Sequence, residues 1–156
     1  MKIQIIHPGD FKETWLTSAF NEYTKRIGAF AEISDITVKE RPVTDVSYVE
    51  KALHEEGQDI LSKLDPRAYV IPLCIEGKNI SSEEFSLLFE KCTLNGYSSI
   101  AFIIGSSHGL SDEVKKRANM KLSFSKMTFP HQLMRVILSE QIYRALSILH
   151  GGKYHK

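Results

Sequence analysis

Cysteine is scarce. Only Cys74 and Cys92 occur in 156 residues, and neither belongs to a CxxC pair or a Cys/His cluster. A disulfide scaffold and a cysteine zinc site are therefore excluded, and two buried free thiols in a reducing compartment are the expectation. The six histidines, His7, His54, His108, His131, His150 and His155, show neither HxxxH nor HExxH spacing, so no metal is expected. No run approaches the roughly 20 apolar residues of a membrane span. The apolar start, Ile3 to Ile6, is stopped by His7-Pro8-Gly9-Asp10, too soon for a signal-peptide core, and a cytoplasmic protein away from membranes is expected. A P-loop lysine and GxGxxG are missing, which removes the usual signatures of phosphate loops and dinucleotide sites, and a serine hydrolase is disfavoured because Ser106, Ser107 and His108 are adjacent, and adjacent residues seldom face each other. Linkers, repeats and low-complexity segments are missing too, so residues 1–156 are read as one domain.

What is present is an ordinary globular balance, 42% apolar and 25% charged. The net charge of +1 conceals an asymmetry. From Lys115 onward stand nine basic residues (Lys115, Lys116, Arg117, Lys121, Lys126, Arg135, Arg144, Lys153 and Lys156) against Glu140 alone. Residues 1–114 are correspondingly acidic. A basic end on an acidic body suits a local polyanion site such as RNA, or else charges neutralised by packing or a partner subunit.

Apolar spacing alternates between strand and helix periods. Strands are expected at 2–7, 31–39, 68–75, 99–104 and 121–124, and helices at 12–27, 47–64, 81–94, 111–118 and 130–149. Ser47 is the expected cap of the second helix, and Gly57 within it is unusual. Pro72 should mark an irregularity in its strand. The near-continuous apolar runs Ala68–Ile75 and Ser99–Ile104 suit strands covered on both faces, and together these elements imply one α/β domain around a mainly parallel sheet with flanking helices. Ligands in such sheets bind beyond the carboxyl ends of strands, which directs attention to the loops after Ile75, Ile104 and Phe124.

Four segments carry candidate chemistry. Ile103–Glu113 holds two glycines in a strand-to-helix turn, and Leu73–Lys78 is a polar strand exit; either could equally be an ordinary connection. Leu122–Arg135 interleaves Ser, Lys and Thr with Phe and Met before a helix start, suited to a ligand with an aromatic ring and a polar tail, or simply a loop anchored by its aromatics. Gly151–Lys156 is either a frayed end or a tail whose Tyr, His and Lys could cover a nucleotide.

Taken together, FIIGSSHGL (102–110), LSFSKMTFPHQLMR (122–135), EQIYRA (140–145) and the YHK ending resemble the RlmH family of the SPOUT superfamily. EEGQDIL (55–61) and IEGK (75–78) are similar as well, so the likeness spans essentially the whole chain. The resemblance implies a C-terminal trefoil knot and a homodimer with a composite active site. It implies S-adenosyl-L-methionine as cofactor and, as reaction, N3 methylation of a pseudouridine in the 23S rRNA of the assembled ribosome. Carried over by position, it puts the cofactor at Leu73, Gly105, Phe124, Ser125, Lys126, Met127, Thr128 and Phe129. It puts substrate contacts at His131 and Arg135, and catalytic roles on Arg144, Tyr154 and His155. Ser106 stands where that family usually has a second glycine, so a narrowed loop or an unfavourable backbone angle is expected there. A non-catalytic RNA- or ribosome-binding relative of the same fold is the alternative.

Overall fold

Five strands and five α-helices make up the computed structural model, which describes all 156 residues. In chain order they are β1 (Lys2–Pro8), α1 (Thr14–Ile27), β2 (Glu32–Val38), α2 (Val49–Lys63), β3 (Tyr69–Asn79), α3 (Ser82–Leu94), β4 (Ser99–Ile103), α4 (Asp112–Arg117), β5 (Leu122–Ser123) and α5 (His131–Leu149). The strands form one sheet in the order β2-β1-β4-β3-β5, with every pairing parallel. All five residues of β4 are buried, as its unbroken apolar run requires of a central strand with helices on both faces.

The two faces carry separate cores. On one, α5 lies between α1 and α3. There Phe20, Phe85, Phe89, Leu138, Ile142 and Ala145 pack against Ile3, Ile5, Ile100 and Phe102 of the sheet. On the other, Ile60 of α2 and Val114 of α4 pack against Ile6, Val38, Val70, Ala101 and Ile103. Gly57 belongs to this second contact: a Cβ there would lie 2.2 Å from Ser111 Oγ, so its absence lets α2 and the start of α4 approach.

Local chemistry sets several boundaries. Ser81 and Glu84 form a reciprocal capping box at α3, with Ser81 Oγ accepting from the Glu84 N–H at 3.1 Å and Glu84 Oε2 from the Ser81 N–H at 2.8 Å. The expected cap at Ser47 is corrected. Asp45 accepts from the Ser47 N–H at 3.0 Å and starts a 3₁₀ turn at Val46–Tyr48, and α2 begins only at Val49. β3 runs four residues beyond the expected end. It pairs with β4 as far as Pro72, which has no N–H to offer a ladder. Beyond it the register slips, so that Leu73 and Lys78 both face Leu122 of β5, and residues 74–77 bulge outward. After α5, Gly151 takes φ +68°, its N–H bonding Ile148 O while the Gly152 N–H bonds Ser147 O. This Schellman turn folds the tail back along α5, so the chain end is built in rather than frayed.

Candidate active site

At the carboxyl ends of β3, β4 and β5 three exits meet around one cavity of about 700 Å³, a volume ordinary for a small-molecule site. The bulge gives Leu73, Cys74, Ile75 and Glu76, and the β4–α4 loop gives Ile104 to Leu110. The chain after β5 gives Phe124, Ser125, Met127, Thr128, Phe129, Pro130, His131 and Met134. That last segment leaves the sheet edge and crosses the ends of β3 and β4 to reach β1. There the Lys12 N–H donates to Gln132 Oε1 at 2.8 Å.

Gly105 is the tightest point of the wall. A Cβ built on it would stand 2.4 Å from Gly109 O and 2.9 Å from Leu110 Cγ, so the loop closes on itself only because Gly105 has no side chain. The Gly109 N–H completes the turn by bonding Ser106 O at 2.9 Å. Ser106 needs no unusual backbone angle, since no non-glycine residue has positive φ. The strain expected at that position is therefore corrected.

Two sets of titratable groups in the cavity are shifted by their surroundings. Lys115 Nζ lies 2.6 Å from Glu76 Oε1; this bond raises the lysine and holds the carboxyl below the usual range. Cys74 is half-buried in the wall rather than in the core, whereas Cys92 is fully buried. Burial pushes the Cys74 thiol up, so it lines the site as a neutral group.

His131 forms the second set. Its Nε2 is buried without a hydrogen-bond partner, 3.9 Å from Glu40 Oε1. Burial first, then Lys12 and His7, lower its pKa below 6.5, with Glu40 opposing. Because the folded protein binds this proton less readily than the unfolded chain, stability is lost as pH falls through 6.5. The imidazole is expected to titrate below 6.5 by NMR, and His131→Gln to reduce the loss of stability between about pH 7 and about pH 5. A midpoint at or above the ordinary value would refute this.

Of the residues singled out from sequence, Leu73, Gly105, Phe124, Ser125, Met127, Thr128, Phe129 and His131 line this cavity. Lys126 is exposed and outside the lining. Arg135 is not brought there. Its guanidinium is buried, 2.5 Å from Asp35 Oδ2 and 3.3 Å from His7 Nδ1, with the ring of Phe11 at 3.7 Å. It borders a different groove of about 720 Å³ beside α1.

Arg144, Tyr154 and His155 form a second constellation near the far end of α5. With 1.5 Å of rise per residue, Arg144 lies roughly 15 Å along the helix from Met134 at the cavity. Arg144 Nη2 and Nε donate to Glu140 Oε1 at 2.6 and 3.0 Å, and the Tyr154 hydroxyl donates to the same oxygen at 3.0 Å. His155 Nδ1 is 3.3 Å from Arg144 Nη1, and its Nε2 is 2.8 Å from Glu83 Oε1 of α3. The Arg144 guanidinium sits 4.6 Å from the centre of the Tyr154 ring. Burial, with Tyr23 and Glu140, raises the Tyr154 hydroxyl and keeps it protonated.

Sequence reasoning missed Glu76, Lys115, Glu83 and Glu140. For Glu140 a signal existed, since it is the sole acid among nine basic residues and stands one helical turn before Arg144. For the Glu76–Lys115 pair no spacing connects the two residues. No cluster of three or more His, Cys, Asp or Glu side chains could hold a metal ion, and no helix is long and apolar enough to cross a membrane.

The family model described as "Predicted SPOUT methyltransferase" matches residues 1–155. Ribosomal RNA large subunit methyltransferase H of Streptococcus thermophilus (strain LMD-9) is 49% identical, and that of Clostridium botulinum (strain Kyoto) 50%, each alignment covering 100% of both chains. Among solved structures, a probable methyltransferase from Bordetella pertussis superimposes with a TM-score of 0.57 at 13% identity, over 92% of this chain and 93% of that one. A probable methylase family protein from Haemophilus influenzae gives 0.53 at 15% identity, over 99% of this chain and 70% of that one. At such identities the two structures speak for the fold alone, whereas the family model and the full-length relatives settle membership. The chain belongs to the SPOUT methyltransferases and, within them, to the RlmH family.

Proposed function

We propose that this protein is an S-adenosyl-L-methionine-dependent enzyme that methylates N3 of a pseudouridine in 23S rRNA of the assembled ribosome. The observation that carries the cofactor assignment is the convergence of Leu73, Gly105 and 124–129 on one cavity. The substrate assignment follows the full-length relatives, which are named for the large ribosomal subunit. A cytoplasmic location follows from that substrate.

The residues present fit the cofactor. Gly105, whose missing Cβ lets the β4–α4 loop close on itself, shapes one wall, and Leu73, Phe124, Met127 and Phe129 offer apolar surface beside the hydroxyls of Ser125 and Thr128. When bound, the cofactor supplies a methyl group already activated on a sulfonium. The protein must then align N3 with that methyl and help it lose a proton. Arg144 is suited to neutralise charge developing on the base's carbonyl oxygens, His155 to assist proton removal, and Tyr154, held protonated, to stack on the base. His131 closes the cavity's edge, and Lys126 is free to meet a phosphate. Arg135 is left out of the substrate contacts because its guanidinium is buried against Asp35, His7 and Phe11, away from the cavity.

Arg144, Tyr154 and His155 are too far along α5 to serve the cavity of their own chain, which supports a homodimer whose tail completes the partner's site. Leu133, Ile137 and Ile148, only partly covered, share one helix face with Arg144 and suit such a contact. The crossing of 124–130 over the strand ends supports the family's trefoil knot. No feature of the cavity favours the non-catalytic alternative.

Calorimetry should show binding of S-adenosyl-L-methionine, and ribosomes from a strain lacking its own enzyme should be methylated. No binding at millimolar cofactor would reject the catalytic reading, and cofactor binding without methylation of those ribosomes would reject the substrate. Arg144→Ala and His155→Ala should both slow single turnover; wild-type rates in both would remove their assigned roles.

A further inference from the structure

We infer that Glu140 is a positioning residue of the active site, holding Arg144 and the C-terminal tail as one unit. The inference rests on the functional reading above and adds a residue to it. Oxygen Oε1 of Glu140 receives three donors, Arg144 Nη2 at 2.6 Å, Arg144 Nε at 3.0 Å and the Tyr154 hydroxyl at 3.0 Å. The other oxygen receives Gln141 Nε2 at 2.6 Å. The Glu140 side chain is 17% exposed, against 61% for Glu83, the other carboxylate on this tail. A shielded carboxylate with several charge-assisted bonds fixes geometry, whereas an exposed ion pair is weak and easily exchanged.

The consequences are geometric. Glu140 raises the Arg144 guanidinium further into its charged form and turns its Nε and Nη2 edge inward. Nη1 is left pointing toward His155 at 3.3 Å. The same oxygen sets the Tyr154 ring over the guanidinium and edge-on to Tyr143, with ring centres 4.7 Å apart. His155 follows Tyr154 directly, so its place depends on this anchor. Glu140 thus orders three groups that act on the base without needing to touch the base.

Two Glu140 variants of the full-length protein test this. E140A removes the acceptor and E140Q keeps the shape without the charge. E140A is expected to lower the single-turnover rate on ribosomes by about 100-fold, the scale of a small misplacement of reacting groups. E140Q is expected to lower it about tenfold, since a neutral acceptor holds arginine less firmly. Affinity for S-adenosyl-L-methionine should stay at the wild-type value in both, because none of Glu140, Arg144, Tyr154 and His155 lines the cofactor cavity. In a double-mutant cycle, E140A should add little to Arg144→Ala. In E140A the amides of Tyr154 and His155 should lose order by heteronuclear NOE, a readout that needs no activity. Wild-type turnover by E140Q, full additivity with Arg144→Ala, a loss of cofactor affinity in step with rate, or an ordered tail in E140A would each overturn the assignment. A wild type inactive on ribosomes, with tail order lost in E140A, would instead reject the functional reading and leave the anchoring role standing.

Discussion

Replacing Gly105 by alanine is expected to weaken S-adenosyl-L-methionine binding by about 10–100-fold while the fold survives. The added methyl would meet backbone rather than a flexible side chain, with Gly109 O at 2.4 Å, Gly109 C at 2.7 Å and Leu110 Cγ at 2.9 Å. The loop would have to open, and it is one wall of the cavity. Overpacking of this kind costs about 1–3 kcal/mol, and a binding site that must deform loses a similar amount of affinity. The neighbouring change serves as the control. Ser106 already has an ordinary backbone angle, so Ser106→Gly should leave affinity within about fivefold of wild type. Titration calorimetry on both variants decides the matter. Unchanged affinity in Gly105→Ala, or a large gain in Ser106→Gly, would mean that the strained residue has been misidentified.

Asp35→Ala is expected to be the most destabilising single truncation of a charged residue, by about 3 kcal/mol, near the low end for breaking a buried ion pair. Asp35 answers two buried groups, Arg135 Nη2 through one oxygen and His7 Nε2 at 2.8 Å through the other. Burial works against the charge on Arg135 and Asp35 opposes that effect. With the carboxylate gone, the guanidinium keeps its stacking on Phe11 and Phe20 but loses its hydrogen-bonded anion, leaving only Asp10 at longer range. Asp35 itself is 31% exposed, so entering water offsets part of the loss. The midpoint of urea unfolding should fall by about 1–2 M. Replacing both partners together, with Asp35→Leu and Arg135→Met, should restore much of the difference, because the double change leaves no charge unpaired. If Asp35→Ala unfolded like wild type and lost only activity, Arg135 would belong with the substrate after all.

Much of the fold was legible because its strands are either unbroken apolar runs or edge segments flanked by turn residues. β4 needed only Ser99–Ile104 to be read as a strand covered on both faces. The limits arose where distant partners decide. Pro72 announced an irregularity, but only β5, some fifty residues later, extends β3 to Asn79 and turns residues 74–76 into a cavity wall. Asp45 rather than Ser47 starts the second helical segment because a 3₁₀ turn intervenes, which apolar spacing does not register. At the site, the three strand exits were visible from the rule for parallel sheets. The fate of Arg135 was not, because arginine beside a cavity-lining segment reads as a ligand contact until Asp35 and His7 are seen beneath it. Glu140 was in plain view as the only acid of the basic segment, yet charge counting treats it as an exception rather than as an anchor.

The place of α5 between α1 and α3 also governs when the molecule becomes whole. Leu138, Ile142, Ala145 and Leu146 complete the larger core, yet they follow every other element of it in the sequence. Until they emerge, α1 and α3 border an empty apolar slot, and the crossing segment that walls the cavity has nothing to hold it down. A nascent chain therefore stays sticky and without its pocket until α5 emerges, and the emergence of that one helix closes the core, the pocket and the window for aggregation together.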